Sequence, residues 1–353
     1  MKKKKRTSIK LLEIIQSEQE QRSIIQEKGK RDIEPRLLSI SNALDDYFIY
    51  EKLRVYCSFL SYNIIVHQDR IGYDASRFEL MPAILELLEK KTSDFPLIII
   101  FQKLKKLYEM VNGNSFSEDQ VLTQFDQLEK VIEENHKDIP NEELEEIYSH
   151  LTNFAIYKLN NEHKSYLLKN LKYNLHLINL QEPYGKNSVI NPGMYKNTIV
   201  LITQASHLND FVITDYLKHW KGRNPLDWAD FIAERYKHFL PDGNESIYYN
   251  YCKAWISFCA KDYLNAFERI NIKKQITEIF INFDYKVLKL RILLELEIQG
   301  DPIMDSDEIN IKTDMENLRS MLRYDKRRPK LNYQEKYFEA FYHLFRNFYK
   351  YFK

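Results

Sequence analysis

The side chains able to do chemistry in this 353-residue chain are numerous but loosely grouped. Glu133 and His136 stand in E-x-x-H spacing, which on a helix turns a carboxylate and an imidazole to one face, as a metal would require. A helical di-iron centre needs two such motifs plus two further inward glutamates, and this is the one E-x-x-H in the sequence. Glu146 and His150 lie one turn apart, a spacing that serves proton transfer or a plain surface ion pair. Lys218, Trp220, Lys221 and Arg223 surround a helix end with cations and an indole, able to neutralise phosphate and stack a base. Arg327 and Arg328 form a second basic cluster, in a linker before the last helix. Both clusters also fit the bland reading, since cations at helix C-termini complement the macrodipole.

The familiar catalytic frameworks are missing from the sequence. With 8 Gly the chain has no G-x-G-x-x-G, no G-x-x-x-x-G-K-[ST] and no G-x-S-x-G, and its three cysteines form no C-x-x-C. Cys252 and Cys259 are two helical turns apart, about 10 Å along one axis and beyond disulfide reach. No cofactor, metal or catalytic residue is assigned, and the chain reads as non-enzymatic.

What must position any functional residue is helix. Few Gly and Pro, 48 aromatics counting 25 Tyr, 20 Phe and 3 Trp, and long runs of apolar residues at helical spacing predict an all-α fold. Pro35 starts a strong helix over 36–67, apolar nearly all round from Tyr47 to Val66, as a helix buried on more than one side would be. Ser76 with Glu79, and Ser117 with Gln120, make capping boxes before apolar runs. A helix opening at Asn141 turns Leu144, Ile147, Leu151, Phe154 and Ala155 inward, and Asn224-Pro225 is an N-cap with proline at the first helical position. Residues 181–192, with Pro183, Gly185 and Asn191-Pro192, form the longest stretch of loop chemistry and mark a hinge or functional loop. In the final helix, over 332–352, Tyr337, Phe341, Leu344, Phe345, Phe348 and Phe352 are expected to pack inward. Tyr333, Tyr342 and Tyr349 then make a second aromatic side, either a surface for docking or self-association or one buried by the chain end folding back.

Charge is unevenly spread behind a net +1. Residues 1–36 carry 11 basic and 6 acidic side chains, residues 112–150 carry 2 and 11, and residues 319–353 carry 10 and 3. Such polarity steers partners, a second copy included. The lysine run Met1–Arg6 is followed by Leu11-Leu12-Glu13-Ile14-Ile15, whose carboxylate breaks any signal-peptide core, and no uncharged run of about 18 apolar residues occurs. A cytoplasmic protein is expected.

Residues 247–270, IYYNYCKAWISFCAKDYLNAFERI, resemble a degenerate tetratricopeptide repeat: Ala254 and Ala266 stand 12 apart around a turn at Asp262-Tyr263. Ser257 replaces the aromatic such repeats carry, and the next turn signal, Gly300-Asp301, arrives 39 residues after Asp262. Ser41-Asn-Ala-Leu-Asp-Asp-Tyr-Phe with Leu53-Arg-Val-Tyr-Cys57 also resembles uncharacterised bacterial helical-repeat proteins. The resemblance implies a right-handed α-solenoid of antiparallel helix pairs whose concave surface takes peptides or proteins.

These readings combine into a basic tail and polar helix over 1–35 and one helical-repeat domain over 36–353. The expected function is a non-catalytic scaffold binding a protein or peptide. The alternative is a regulatory protein engaging nucleic acid through its basic ends. Head-to-tail self-association through opposite charges is a further expectation.

Overall fold

The computed structural model of the chain describes residues 13, 15–17, 19–20, 34–66, 78, 80–90, 94–112, 116–161, 163–180, 189–205, 224–241, 245–271, 276, 278–301, 311–325, 339–344 and 346–347. Among these residues no strand occurs, and twelve α-helices have defined bounds. No helix among them is long and apolar enough to cross a membrane. The capping pair Ser76–Glu79 and the helix expected over 208–221 lie outside the described residues. The chain forms two compact units, Met1–Tyr157 and Lys158–Lys353.

In the first unit, α1 (Glu34–Val66) carries Pro35 in its first turn, where no backbone donor is needed. It is followed by α2 (Met81–Lys90), α3 (Pro96–Asn112), α4 (Glu118–Asn135) and α5 (Asn141–Asn160), with α5 ending just past the unit boundary. α3 is the centre, packing on α1 and on α4. Its residues Leu97, Ile98, Ile100, Phe101, Leu104, Leu107 and Tyr108 are all fully buried, because three of its sides meet other helices. Tyr50 of α1 presents its edge to Phe95 at 6.0 Å and to Phe101 at 5.6 Å.

The capping box of α4 forms as its sequence predicts: Ser117 Oγ accepts from the Gln120 N–H at 3.3 Å and Gln120 Oε1 accepts from the Ser117 N–H at 2.9 Å. On α5 the five residues expected inside, from Leu144 to Ala155, are buried. α2 has more apolar residues than it buries. Met81, Ile84 and Leu88 form its buried stripe, while Leu80 and Leu87 are turned outward, a rotation that leaves surplus apolar surface.

The second unit contains α6 (Tyr166–Leu180), α7 (Pro192–Ala205), α8 (Pro225–Tyr236), α9 (Glu245–Cys259), α10 (Tyr263–Ile270), α11 (Ile279–Gln299) and α12 (Ile311–Asp325). Each packs on the next in sequence, and α7 also touches α9, as α9 touches α11, across the intervening helix. The Asn224 side chain caps α8 by accepting the Asp227 N–H at 2.9 Å, with Pro225 at the first position. Ala254 and Ala266 are inaccessible, so a larger side chain at either would force α9 and α10 off their neighbours. The α9–α10 turn closes through Lys261 at φ 63° and the Asp262 cap.

Gly300 ends α11 at φ 66°, its N–H and that of Asp301 closing on Glu297 and Leu296 carbonyls at 3.1 and 3.0 Å. A methyl added there meets nothing within 4 Å. Gly300→Ala is therefore expected to cost only the left-handed backbone penalty, about 1 kcal/mol, read as a lower midpoint in thermal unfolding followed by circular dichroism.

Candidate functional site

Most residues singled out by the sequence fall where no geometry can be assigned. Lys218, Trp220, Lys221, Arg223, Arg327, Arg328, Tyr333 and Tyr349 lie outside the described residues, as does 181–188 of the loop. Tyr342 is described, and it is buried, with the Arg319 guanidinium 6.0 Å over its ring. Leu344, expected inside, is 70% exposed. Burial of Tyr342 agrees with a chain end that covers this side, Leu344 departs from the expectation, and Phe341, also expected inside, is half-buried. Both rings of this segment lie under cations, Tyr342 under Arg319 and Phe341 under Arg291 at 5.3 Å.

Glu133 and His136 are both exposed, and His136 already belongs to the 3-10 turn after α4, so the two do not share one helix face. No group of three or more potential metal ligands occurs among the described residues. Glu146 and His150 are engaged in opposite directions. Glu146 accepts from Arg54 Nη1 at 3.0 Å, in a pair that also includes Glu51 at 2.7 Å. His150 turns into the core, its Nδ1 2.9 Å from the Tyr108 hydroxyl.

Around His150 the first unit assembles the grouping that most resembles a catalytic one. Tyr108 Oη also reaches the His150 carbonyl at 3.3 Å, Asn153 Nδ2 donates to Ser61 Oγ at 3.3 Å, and Cys57 Sγ donates to the Phe101 carbonyl at 3.3 Å. The rings of Phe101 and Tyr108 stand edge-on to the imidazole, each with its centroid 5.9 Å away. Burial pulls His150 down to about 4, so it is neutral at physiological pH. The same burial pushes the Cys57 thiol and the Tyr108 phenol well above their ordinary ranges, so neither ionises. The grouping is buried, with Cys57 and Tyr108 inaccessible and His150 nearly so, and its polar contacts make this core specific.

In the second unit the chemistry gathers on α9. Glu234 of α8 accepts from Tyr249 Oη at 2.6 Å, Lys237 Nζ at 2.9 Å and Lys253 Nζ at 3.1 Å, and Lys253 also pairs with Asp230. These donors, Tyr249 first, hold the Glu234 carboxyl down to about 2. On another side a file of rings runs Tyr285–Tyr251–Trp255–Phe258–Tyr263, with centroids 5.5, 6.4, 6.3 and 5.6 Å apart. Trp255 Nε1 donates to Thr203 Oγ1 at 2.6 Å, and Lys196 lies 5.9 Å over Tyr251 while pairing with Asp284. These contacts fasten α7, α8 and α11 to α9.

An open binding geometry occurs between α2 and α3. A groove of about 390 Å³ is lined by the apolar side chains of Leu85, Leu88, Met110 and Phe116 together with Glu89, Gln102, Lys105, Lys106 and Glu109. The Lys105 and Glu109 side chains pair at 2.8 Å across one turn, and Phe116 is 48% exposed at the mouth. Volume and lining suit one or two large apolar side chains of a peptide, with both signs of charge at hand to fix its direction. The sequence signal for this groove is the apolar surplus at α2, six large apolar side chains in Leu80–Leu88 where one buried stripe needs fewer. No protein-family model, no curated protein and no solved structure matches this chain.

Proposed function

We propose that this protein is a non-catalytic interaction scaffold that receives an apolar peptide segment of a protein partner in the α2–α3 groove. The observation that carries the reading is the groove itself, open between two helices and lined by apolar side chains together with Lys105, Lys106, Glu89 and Glu109. The non-catalytic part is supported by the burial of the Cys57, Tyr108 and His150 side chains. Packing of each helix on its successor, together with the α7–α9 and α9–α11 contacts, supports a solenoid stack related to tetratricopeptide arrays in the second unit. The site of action proposed is the cytoplasm.

The test is capture from a lysate of the source cells at low and high salt after nuclease treatment, by the native chain and by Phe116→Asp. Phe116 is half exposed, so the variant keeps its core. A protein retained at high salt by the native chain and bound at least about tenfold less by Phe116→Asp is the expected result. Equal retention by both removes the groove from the reading. Recovery of nucleic acid alone, lost at high salt, replaces the scaffold with nucleic-acid binding through the basic ends.

A further inference from the structure

The longest helix of the first unit carries an apolar stripe on the side facing away from its own core. Leu37, Leu44, Phe48, Val55 and Tyr62 of α1 are between 41% and 56% exposed, although the opposite face, from Ile40 to Ile64, is buried. With Ser41, Glu51 and Ser58 they complete an unbroken 4-3-4-3-4-3-4 spacing from 37 to 62. That is the spacing of a two-stranded coiled-coil seam, apolar at five of its eight positions, three and a half heptads long and about 38 Å from end to end. A helix face that merely borders solvent is expected to be polar, and here five of eight positions on that face are large and apolar.

We propose that α1 pairs with α1 of a second copy of this chain, antiparallel, about a two-fold axis between residues 49 and 50. The seam is self-complementary in that direction. Running it backwards sets Leu37 against Tyr62, Ser41 against Ser58 and Leu44 against Val55 of the other copy, so apolar layers meet apolar layers and the serines meet each other. Phe48 meets Glu51, whose carboxylate is already held by Arg54 at 2.7 Å. The parallel register fails on charge, because it stacks Glu51 on Glu51.

The flanking positions agree with the antiparallel register. Asp45 and Lys52 occupy equivalent places on the same edge of the stripe, one heptad apart. Two-fold pairing puts Asp45 of each copy beside Lys52 of the other, giving two opposite-charge pairs related by the axis. Lys52 already leans along the seam, its Nζ 5.5 Å over Phe48, and Asp45 is exposed. Leu38, 63% exposed, is brought against Phe59 of the other copy. This surface is separate from the α2–α3 groove and stands whether or not the groove binds a peptide.

Sedimentation velocity on the full chain, from low-micromolar to high-micromolar concentration, tests it. The native chain is expected to pass from monomer to dimer and stop there, because a two-fold contact closes. Asp45→Lys and Lys52→Asp, each replacing two attractive pairs by two repulsive ones, should weaken the dimer about tenfold, and the double variant should recover it. Leu44→Glu should leave a monomer with an unchanged helical spectrum and melting curve, since Leu44 contributes to no core. A native chain that stays monomeric, single charge variants that associate like the native one, or a double variant that fails to recover overturns the proposal. So does open-ended growth to higher oligomers, the mark of a head-to-tail contact.

Discussion

Phe101→Ala is expected to remove about 3–5 kcal/mol of stability. Phe101 is fully buried on α3, the helix on which both α1 and α4 pack. Its ring closes against Tyr50 of α1 at 5.6 Å and against His150 of α5 at 5.9 Å, so it joins three helices at one point. Deleting it leaves a cavity that cannot collapse, since Leu97, Ile98, Leu104 and Tyr108 around it are equally buried. Phe101→Leu keeps most of the volume and should cost about 1.5 kcal/mol or less. The three tryptophans lie at 220, 228 and 255, all in the second unit, so denaturant unfolding of these variants is to be followed by far-ultraviolet circular dichroism. A midpoint for Phe101→Ala within error of the native one would show that α3 is not the centre of the unit.

The all-helical fold was legible because its signals are local. Pro35, the Ser117–Gln120 box and Asn224-Pro225 act within one turn of chain, and each bounds a helix where expected. The inward face of α5 was legible for the same reason, as spacing alone selects Leu144 through Ala155. Spacing did not resolve cases in which a helix has more apolar residues than one neighbour can cover. α1 is apolar nearly all round, and the expectation of burial on several sides holds for one face only, with Leu37, Leu44, Phe48, Val55 and Tyr62 left exposed. The same excess on α2 opens the groove that ends at Phe116. His150 shows the complementary difficulty. Four residues from Glu146, it reads as half of a surface pair, and only the placement of Tyr108, 42 positions earlier, reveals that it faces the core. Long-range polar contacts of this kind leave no periodic trace in a sequence.

His150 makes the stability of the first unit depend on pH in a defined direction. Its proton affinity falls from the ordinary 6.5 to about 4 in the folded chain because burial disfavours the imidazolium. Between these values the unfolded chain holds a proton that the folded chain refuses, so acidification favours unfolding. The contribution is fully present above pH 6.5, declines by about 1.4 kcal/mol per unit below it, and has fallen by about 3 kcal/mol near pH 4. His150→Phe isolates the effect. The benzyl ring keeps the aromatic contacts with Phe101 and Tyr108, and the Tyr108 hydroxyl retains the residue 150 carbonyl, 3.3 Å away, as its acceptor. The difference in unfolding free energy between native and His150→Phe chains should therefore be constant above pH 7 and shift by about 3 kcal/mol in favour of the variant by pH 4. The other eight histidines cancel in that difference. Glu234 supplies a contrast at lower pH: its carboxyl is held down to about 2 from 4.5, so its stabilisation is present above 4.5 and is lost toward 2. Its side chain is 41% exposed, and solvent screening reduces that second loss to a fraction of the first. Urea unfolding at half-unit steps from pH 7.5 to 4, with native and His150→Phe chains in parallel, covers the His150 window and stops above most of the Glu234 one. Parallel curves across the whole range would mean that the imidazole is reached by solvent, and its burial in the core would have to be abandoned.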